Sequence, residues 1–538
     1  MKAAANFTGL GVIDGDQYGA NGLKFGATNV FWRQVRNFII DLKSIPANTS
    51  ATGIHWPTAQ ATSLQNILFE MSAASGTQHQ GVFIESGSGG YMGDLTFNGG
   101  LFGLNVGNQQ FTMRNMTFNN CVTAINQFWD WGWTYKSIYI NDCQVGLNMS
   151  TGAPAAQSVG SVTFIDSAIT NTPVGFITGH ANNGQSQPPA AGSLILENVS
   201  LNNVPVAVEG LGGVTSLAGT TGSTVIAGWG QGHAFTPNGS TSFQSPITPN
   251  SRPSQLLQGD GKYYERSKPQ YETLSVTDFL SARSYGATGD GKTDDTAALQ
   301  NVILAGAAAG KVVFVDAGTY KVTNTVHIPA GSKIVGESYS VIMSSGSFFA
   351  DMNNPQPMVH VGHVGEKGSI EWSDMIVSTQ GEQAGAVLIE WNLASPSSTP
   401  SGMWDVHARI GGFAGSNLQL AQCPTTPKVA TPPASVNNNC IAAFLTMHVT
   451  PSATGLYMEN VWLWTADHDV EDANLTQITI YTGRGLYVES DDGVLWLYGT
   501  SVEHHSKYQY QFANTQAIVM GQIQTETPYY QYVPRRLY

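Results

Sequence analysis

The sequence predicts an all-β protein: two tandem β-helices, each a coil of parallel strands, joined by a long linker, with a short capping helix at the start of the second. Three observations carry this. With 60 Gly and 24 Pro in 538 residues and 11% charged residues, the chain is turn-rich, as short strands require. The segments LTFNGG (95–100), MTFNNC (116–121), IYINDC (138–143), VTFIDS (162–167) and LILENV (194–199) recur with Phe97, Phe118, Ile140, Phe164 and Leu196 in register, at spacings of 21, 22, 24 and 32. In mid-chain, SYGATGDGKTDDTAALQ (284–300) reads as the opening of a second coil.

Each repeat is a short alternating strand ended by Asn, Asp or Gly turn residues. A period of 20–25 residues made only of strands and turns fits a parallel coil, and the Leu ladder of leucine-rich repeats is absent. The spacing of 32 contains HANNGQSQPPAAG, a polar loop. Cys121 and Cys143 fall at equivalent positions, so they are expected as neighbours, either bonded or stacked as small apolar residues. The first domain is expected over 1–230, incomplete at its start. Residues 231–280 are polar and aperiodic, and are expected as the linker.

The second domain is expected over 281–538, incomplete at its end. Thr293 or Asp294 can cap a helix that has Asp295 in its first turn and ends at Gly310. KVVFVDAGTY (311–320) comes next as a buried strand and turn. A helix there covers strand edges that would otherwise recruit other chains. GATGDGKTDD lacks the spacing of a phosphate-binding loop.

The net charge is −14, with only 23 Lys and Arg. That balance disfavours nucleic acid and other polyanions, and points to a neutral partner. No apolar run is long enough to span a membrane, and MKAAANFTGLGVID lacks the core of a signal peptide. Seven N-x-S/T sequons, at Asn6, Asn48, Asn115, Asn148, Asn198, Asn238 and Asn474, still lean towards a secreted glycoprotein. Cys423 and Cys440 bracket a Pro/Thr/Asn-rich loop that a disulfide would staple, the alternative being buried thiols. No cofactor is expected, and the chain is expected to be a monomer.

VWLWTADHD (461–469), VLWLYGTSVEHH (494–505) and IVMGQIQTETPYY (518–530) read as consecutive coils. Glu503 and Glu526 both stand at strand ends, about one coil apart, which brings two carboxylates together. Two such groups push their pKa values apart, leaving a proton donor beside an ionised partner, as glycosidic cleavage requires. They could equally be solvated turn residues. Spacing leaves the choice between retention and inversion open. Trp133 (with Trp129 and Trp131) and Trp464 (with Trp462) are candidate platforms for sugar rings, or core. Asp467 and Asp469 could hydrogen-bond sugar hydroxyls, or merely close turns. His504 and His505 read as turn or supporting residues rather than metal ligands.

GLGVIDGD, FWRQVRNFIIDL, GIHWPTAQATSLQNILFEMS, GWGQGH, KYYERSKPQYE, LWTADHD, LYGTSVEHHSKYQYQF and IQTETPYYQ together resemble one family over residues 6–531. It is the fungal β-1,3-glucanases of glycoside hydrolase family 55, with right-handed coils of the pectate-lyase-like superfamily. The resemblance implies a secreted exo-acting hydrolase of a neutral β-glucan, releasing glucose with inversion. It implies Glu526 as general acid and Glu503 in the network holding the attacking water. An uncharged pair from the first domain, mapped to Gln109 and Ser137, completes that network, so the site is expected between the domains. The family's Gly-Asp-Gly opening ahead of the first coil is missing, and YVPRRLY is unlike the family beyond its TETPYYQ motif. Both ends therefore look cut, and poor solubility is expected. The competing readings are a polyuronate lyase or polygalacturonase, which the shortage of Lys and Arg argues against, and a non-catalytic carbohydrate-binding coil.

Overall fold

The structure, a computed structural model, describes residues 1–181, 187–426 and 436–529. The chain divides into two compact units, Met1–Ser251 and Arg252–Tyr538. Both are built of strands paired in parallel, and the described residues include one α-helix. No helix among them is long and apolar enough to cross a membrane.

In unit 1 the strands Gln34–Asp41, Ser63–Glu70, Tyr91–Asn98, Phe102–Asn119, Thr123–Asn141, Ser161–Thr170 and Ser193–Glu209 pair successively in parallel. In-register pairing stacks like on like. Phe69, Phe97 and Phe118 are fully buried, and their rings stack at 4.7 and 4.8 Å with 4° between planes. Each such ring stabilises the core by about 1.5–3 kcal/mol through burial.

A second column sets the bends. Asn37, Asn66, Asp94, Asn115, Ser137, Asp166 and Asn198 all have φ between 51° and 64° and succeed one another from strand to strand. Asn and Asp tolerate this left-handed conformation because their side chains bond locally. Here those side chains also link adjacent strands: Asn66 Nδ2 to Asn37 Oδ1 at 2.7 Å, Asn115 to Asp94 at 2.7 Å, and Asn198 to Asp166 at 2.6 Å. A parallel column, Asn120, Asp142, Asn171 and Asn203, lies five residues further along and is also left-handed.

The two look-alike columns explain one difference from the repeat read in the sequence. Phe97, Phe118 and Ile140 are in register. Phe164, however, pairs with Tyr135, and Ile140 pairs with Ile169. The repeat aligned on sequence slips by the five residues that separate the columns, taking Asp166 for the counterpart of Asp142. Cys121 and Cys143 are buried free thiols, while Cys423 and Cys440 form a disulfide.

The boundary between the units falls inside residues 231–280, but the segment is not without partners. Thr215–Thr236 turns antiparallel against Ser193–Glu209, and Gly239–Pro246 pairs antiparallel with it in turn, closing unit 1 with a meander. Beyond Arg252 the chain packs along unit 2. Leu256 and Tyr263 join a cluster with Trp404, Tyr457, Trp496 and Tyr498. Trp496 Nε1 donates to Leu256 O at 3.0 Å, and Trp404 Nε1 to Arg266 O at 3.2 Å. Aromatic donors on the face of the unit are what give this polar segment fixed partners.

In unit 2 the helix spans Thr296–Ala309, with Asp295 at its N-cap and Gly310 left-handed (φ 66°) at its C-cap. The Asp295 side chain serves the Gly-rich turn, accepting from Thr288 N at 2.7 Å and Gly289 N at 2.9 Å. Asp294 takes the first helical N–H, from Thr296, at 3.1 Å. Unit 2 has its own left-handed column, Asp374, Asp405, Asn460, Gly499 and Gln522, continued strand by strand. Adjacent buried carboxylates would repel; Lys268, 1% exposed, lies 2.6 Å from both Asp374 Oδ1 and Asp405 Oδ2.

Lys268→Ala leaves two buried carboxylates without their cation, and unfolding in urea is expected to show a loss of about 3–5 kcal/mol. A loss under about 1 kcal/mol, the scale of a surface pair, would show that Lys268 is not the clamp.

Candidate active site

The end of unit 2 carries a column that leaves the apolar pattern. Beyond the bend at Asn460, Gly499 and Gln522, strands Trp462–Thr465, Leu495–Glu503 and Ile518–Glu526 run side by side. Trp464 pairs with Glu503 and Glu503 with Glu526. The two carboxylates thus share one rung position on successive turns, as the coil spacing predicted.

Their surroundings differ. Glu503 is 2% exposed, and its Oε2 accepts from Trp462 Nε1 at 3.0 Å. The Glu526 side chain is 38% exposed, and Oε1 accepts from the Tyr529 hydroxyl. Burial, and then that bond, push the Tyr529 hydroxyl well above its usual range, so it remains a donor.

His504 succeeds Glu503 in a left-handed conformation, φ 68°, and its N–H bonds Glu526 O at 2.8 Å. The ring is 4% exposed, and neither nitrogen has a hydrogen-bond partner. Nδ1 lies 3.8 Å from Asp467 Oδ1, and Nε2 lies 3.7 Å from Glu526 Oε2. Burial holds His504 below the ordinary histidine pKa, although both carboxylates pull upward. The two nearby carboxylates suggest an ion pair; with the ring this deeply desolvated, the neutral form is the one supported. One atom each from Glu503, His504 and Glu526 lie within 4.8 Å of one another.

Asp467 joins this cluster. Burial raises its pKa, but the His468 hydrogen bond at 2.8 Å and the His468 and His504 rings outweigh it and hold the carboxylate below its usual range. Asp469 does not join. It is 3% exposed and closes a loop, accepting from Leu420 N at 3.2 Å and Glu471 N at 3.1 Å. Trp464 is 1% exposed and stacks on Trp462 at 4.7 Å, so it backs the indole that holds Glu503 and offers no open platform. His505 is a supporting residue, bonded to Thr446 Oγ1 at 2.8 Å and Gln509 Oε1 at 3.1 Å.

In unit 1 the other expected residues part company. Gly132 pairs with Gln110 and Asp130 with Asn108, which sets Gln109 opposite Trp131. Ser137 lies opposite Asn115, six positions along, as a corner of the left-handed column. One water cannot reach both. Trp133 is 1% exposed in the core, its Nε1 bonded to Asn108 O at 3.0 Å. Trp131, two positions earlier on the same strand, is 65% exposed instead.

A Gln–Ser pair that does meet has no obvious mark in the sequence. Ser88 Oγ donates to Gln60 Oε1 at 2.9 Å, both side chains being buried. Asn108 and Gln110 brace the segment: Asn108 Oδ1 accepts from Gly89 N at 2.9 Å, and Gln110 Nε2 donates to Ser88 O at 2.6 Å. Gly87, Gly89 and Gly90 have φ of 143°, 141° and 145°, and a Cβ at Gly87 would meet Thr58 O at 2.0 Å. The signal that could have found the pair is SGSGG, whose glycines are needed here for conformation. Beside Asn108 in register, burial pushes the Asp130 carboxyl up to about 7 despite its bonds from Ser161 and Gly160.

The family model described as "Rhamnogalacturonase A/epimerase, pectate lyase-like" matches residues 1–148 and 279–369. A glucan 1,3-beta-glucosidase of Cochliobolus carbonum is 49% identical over 99% of this chain and 66% of its own length. A probable glucan endo-1,3-beta-glucosidase of Arthroderma benhamiae is 41% identical over 100% of this chain and 71% of its own. The chain therefore spans about two thirds of these relatives. The structure of a variant of sacteLam55A from Streptomyces sp. SirexAA-E, in complex with glucose, aligns with a TM-score of 0.43 and 14% identity, over 96% of this chain and 69% of that one.

The deeply buried histidines set a pH window. His505 is held at about 3 and His407 at about 4 by burial, below the ordinary value of about 6.5. The unfolded chain therefore takes up protons first, so stability is present above about pH 6.5 and lost as pH falls from there towards about 3. Denaturant midpoints are expected to decline across that window, and less steeply in His505→Gln. A parallel decline in the variant would remove His505 from the effect.

Proposed function

The chain belongs to the fungal β-1,3-glucanases of glycoside hydrolase family 55, and on that premise we propose that it is a secreted enzyme of two tandem right-handed β-helices. It would hydrolyse β-1,3-glucan from the non-reducing end and release glucose with inversion. The carrying observation is Glu503 and Glu526 on one rung position with unequal access to solvent.

Glu526, the accessible member, is assigned as the acid that protonates the glycosidic oxygen; the Tyr529 hydroxyl fixes its other oxygen. Glu503 is too enclosed, and too firmly held by Trp462, to attack a sugar carbon itself. It is assigned to orient and activate a water that does so, which inverts the anomeric centre. Asp467 and His504 line the same cluster. A neutral glucan suits a chain of net charge −14, since it brings no phosphate or uronate charge to be repelled.

One observation favours retention instead. The nearest Glu503 and Glu526 oxygens lie within 4.8 Å, closer to the roughly 5–5.5 Å spacing of retaining enzymes than to the roughly 6.5–9.5 Å of inverting ones. Laminarin digestion followed by proton NMR separates the two: α-glucose appearing first supports inversion, β-glucose retention. Glu526→Gln is expected to lose roughly 100-fold or more in kcat with the fold intact. Near-normal activity in that variant would overturn the assignment.

Gln60 and Ser88 are an uncharged pair that meets within unit 1, at 2.9 Å, whereas Gln109 and Ser137 stand six positions apart along adjacent strands. Gln60→Ala and Ser88→Ala are expected to lower kcat with little change in KM, and Gln109→Ala to leave it near wild type. The reverse pattern in laminarin kinetics would restore the original pair.

A further inference from the structure

Unit 2 has a second parallel sheet, separate from the one that carries Glu503 and Glu526. One of its columns is polar from end to end: His327, His360, Glu390, His448, Tyr487 and Gln511 occupy successive strands at one register position. At its start the turn after Gln356–Val361 passes through Gly362, φ 67°. The turn brings His363 back over the column, where its ring stacks on His327 at 4.0 Å with 15° between planes.

We propose that His327, His360 and His363, with Glu366, form a binding site for a divalent transition metal ion of the zinc class. One nitrogen from each of the three histidines lies within 4.8 Å of the other two. His327 Nδ1–H donates to His360 O at 3.1 Å, which leaves the Nε2 lone pair as the free coordinating position. Glu366 Oε2 stands 3.9 Å from that Nε2. The Glu366 carboxylate is already oriented by the N–H groups of Ala330 at 2.7 Å and His363 at 2.8 Å. Glu390 Oε1 lies 3.5 Å from His360 Nε2, the outer carboxylate that metal-bound imidazoles commonly have.

Three imidazoles and one carboxylate are a donor set that zinc takes tetrahedrally. The backbone of His327 is pinned by the helix: Gln300 Oε1 accepts from His327 N at 2.8 Å, and Gln300 Nε2 donates to His327 O at 3.0 Å. With Glu366 as fourth donor no coordination position stays open, so the ion is structural: it ties the turn at 362–366 to the strand Val326–Ile328.

The test uses the whole chain stripped by a chelator and titrated with zinc chloride, read by calorimetry and thermal unfolding. Cobalt(II) absorption in a parallel titration reads the coordination geometry. Zinc is expected to bind and raise the unfolding temperature, and cobalt to give tetrahedral ligand-field bands. His363→Ala, at an exposed position, should abolish both signals. Glu390→Gln should weaken binding by about 10-fold or more, and His504→Ala should leave it unchanged. Absence of zinc binding, binding indifferent to His363→Ala, or binding lost in His504→Ala would overturn the proposal.

Discussion

Parallel pairing in register is the constraint on which the rest of the structure depends. Every residue of a strand meets its counterpart about 4.8 Å away on the next turn, so a position is a column before it is a residue. Columns tolerate turns of different length between strands but not a change of character along their own axis. Stacked Phe69, Phe97 and Phe118 satisfy the rule by burial. The left-handed column from Asn37 to Asn198 satisfies it by mutual side-chain bonds.

For charged side chains the same rule is costly, because like charge meets like at one rung spacing. The two carboxylate pairs of unit 2 meet that cost differently. Asp374 and Asp405 share the Lys268 ammonium at 2.6 Å; such a pair is neutralised and inert. The donors seen on Glu503 and Glu526 are an indole and a phenol, where Asp374 and Asp405 have an ammonium.

The sequence made legible whatever depends on counting along the chain: the strand-and-turn period, the helix Thr296–Ala309, and the Glu503–Glu526 rung. It misled where two columns look alike. Asp166 resembles Asp142 because both are left-handed corners, and only the pairing of Phe164 with Tyr135 tells them apart. Trp131 and Trp133 share a strand parity, yet one is exposed and the other lies in the core; nothing in QFWDWGWTY states which is which. Asp469 looked like Asp467; it is loop packing that turns one into a staple and leaves the other beside His504. The 231–280 segment carried no period because its partners, Trp404 and Trp496, lie more than 100 residues away in sequence.

Backbone conformation marks the same places independently. A residue held where its φ is unfavourable must be over-determined by its neighbours, and such positions gather at functional sites. Most non-glycine residues with positive φ among the described residues belong to the corner columns. His504 stands outside the corner columns traced here: its φ of 68° turns a ring without hydrogen-bond partners between Asp467 and Glu526. The glycines at 87, 89 and 90, with φ above 140°, likewise hold Ser88 against Gln60 in a backbone that no other residue type would adopt. In each unit the strained backbone coincides with the polar cluster that the fold alone does not need.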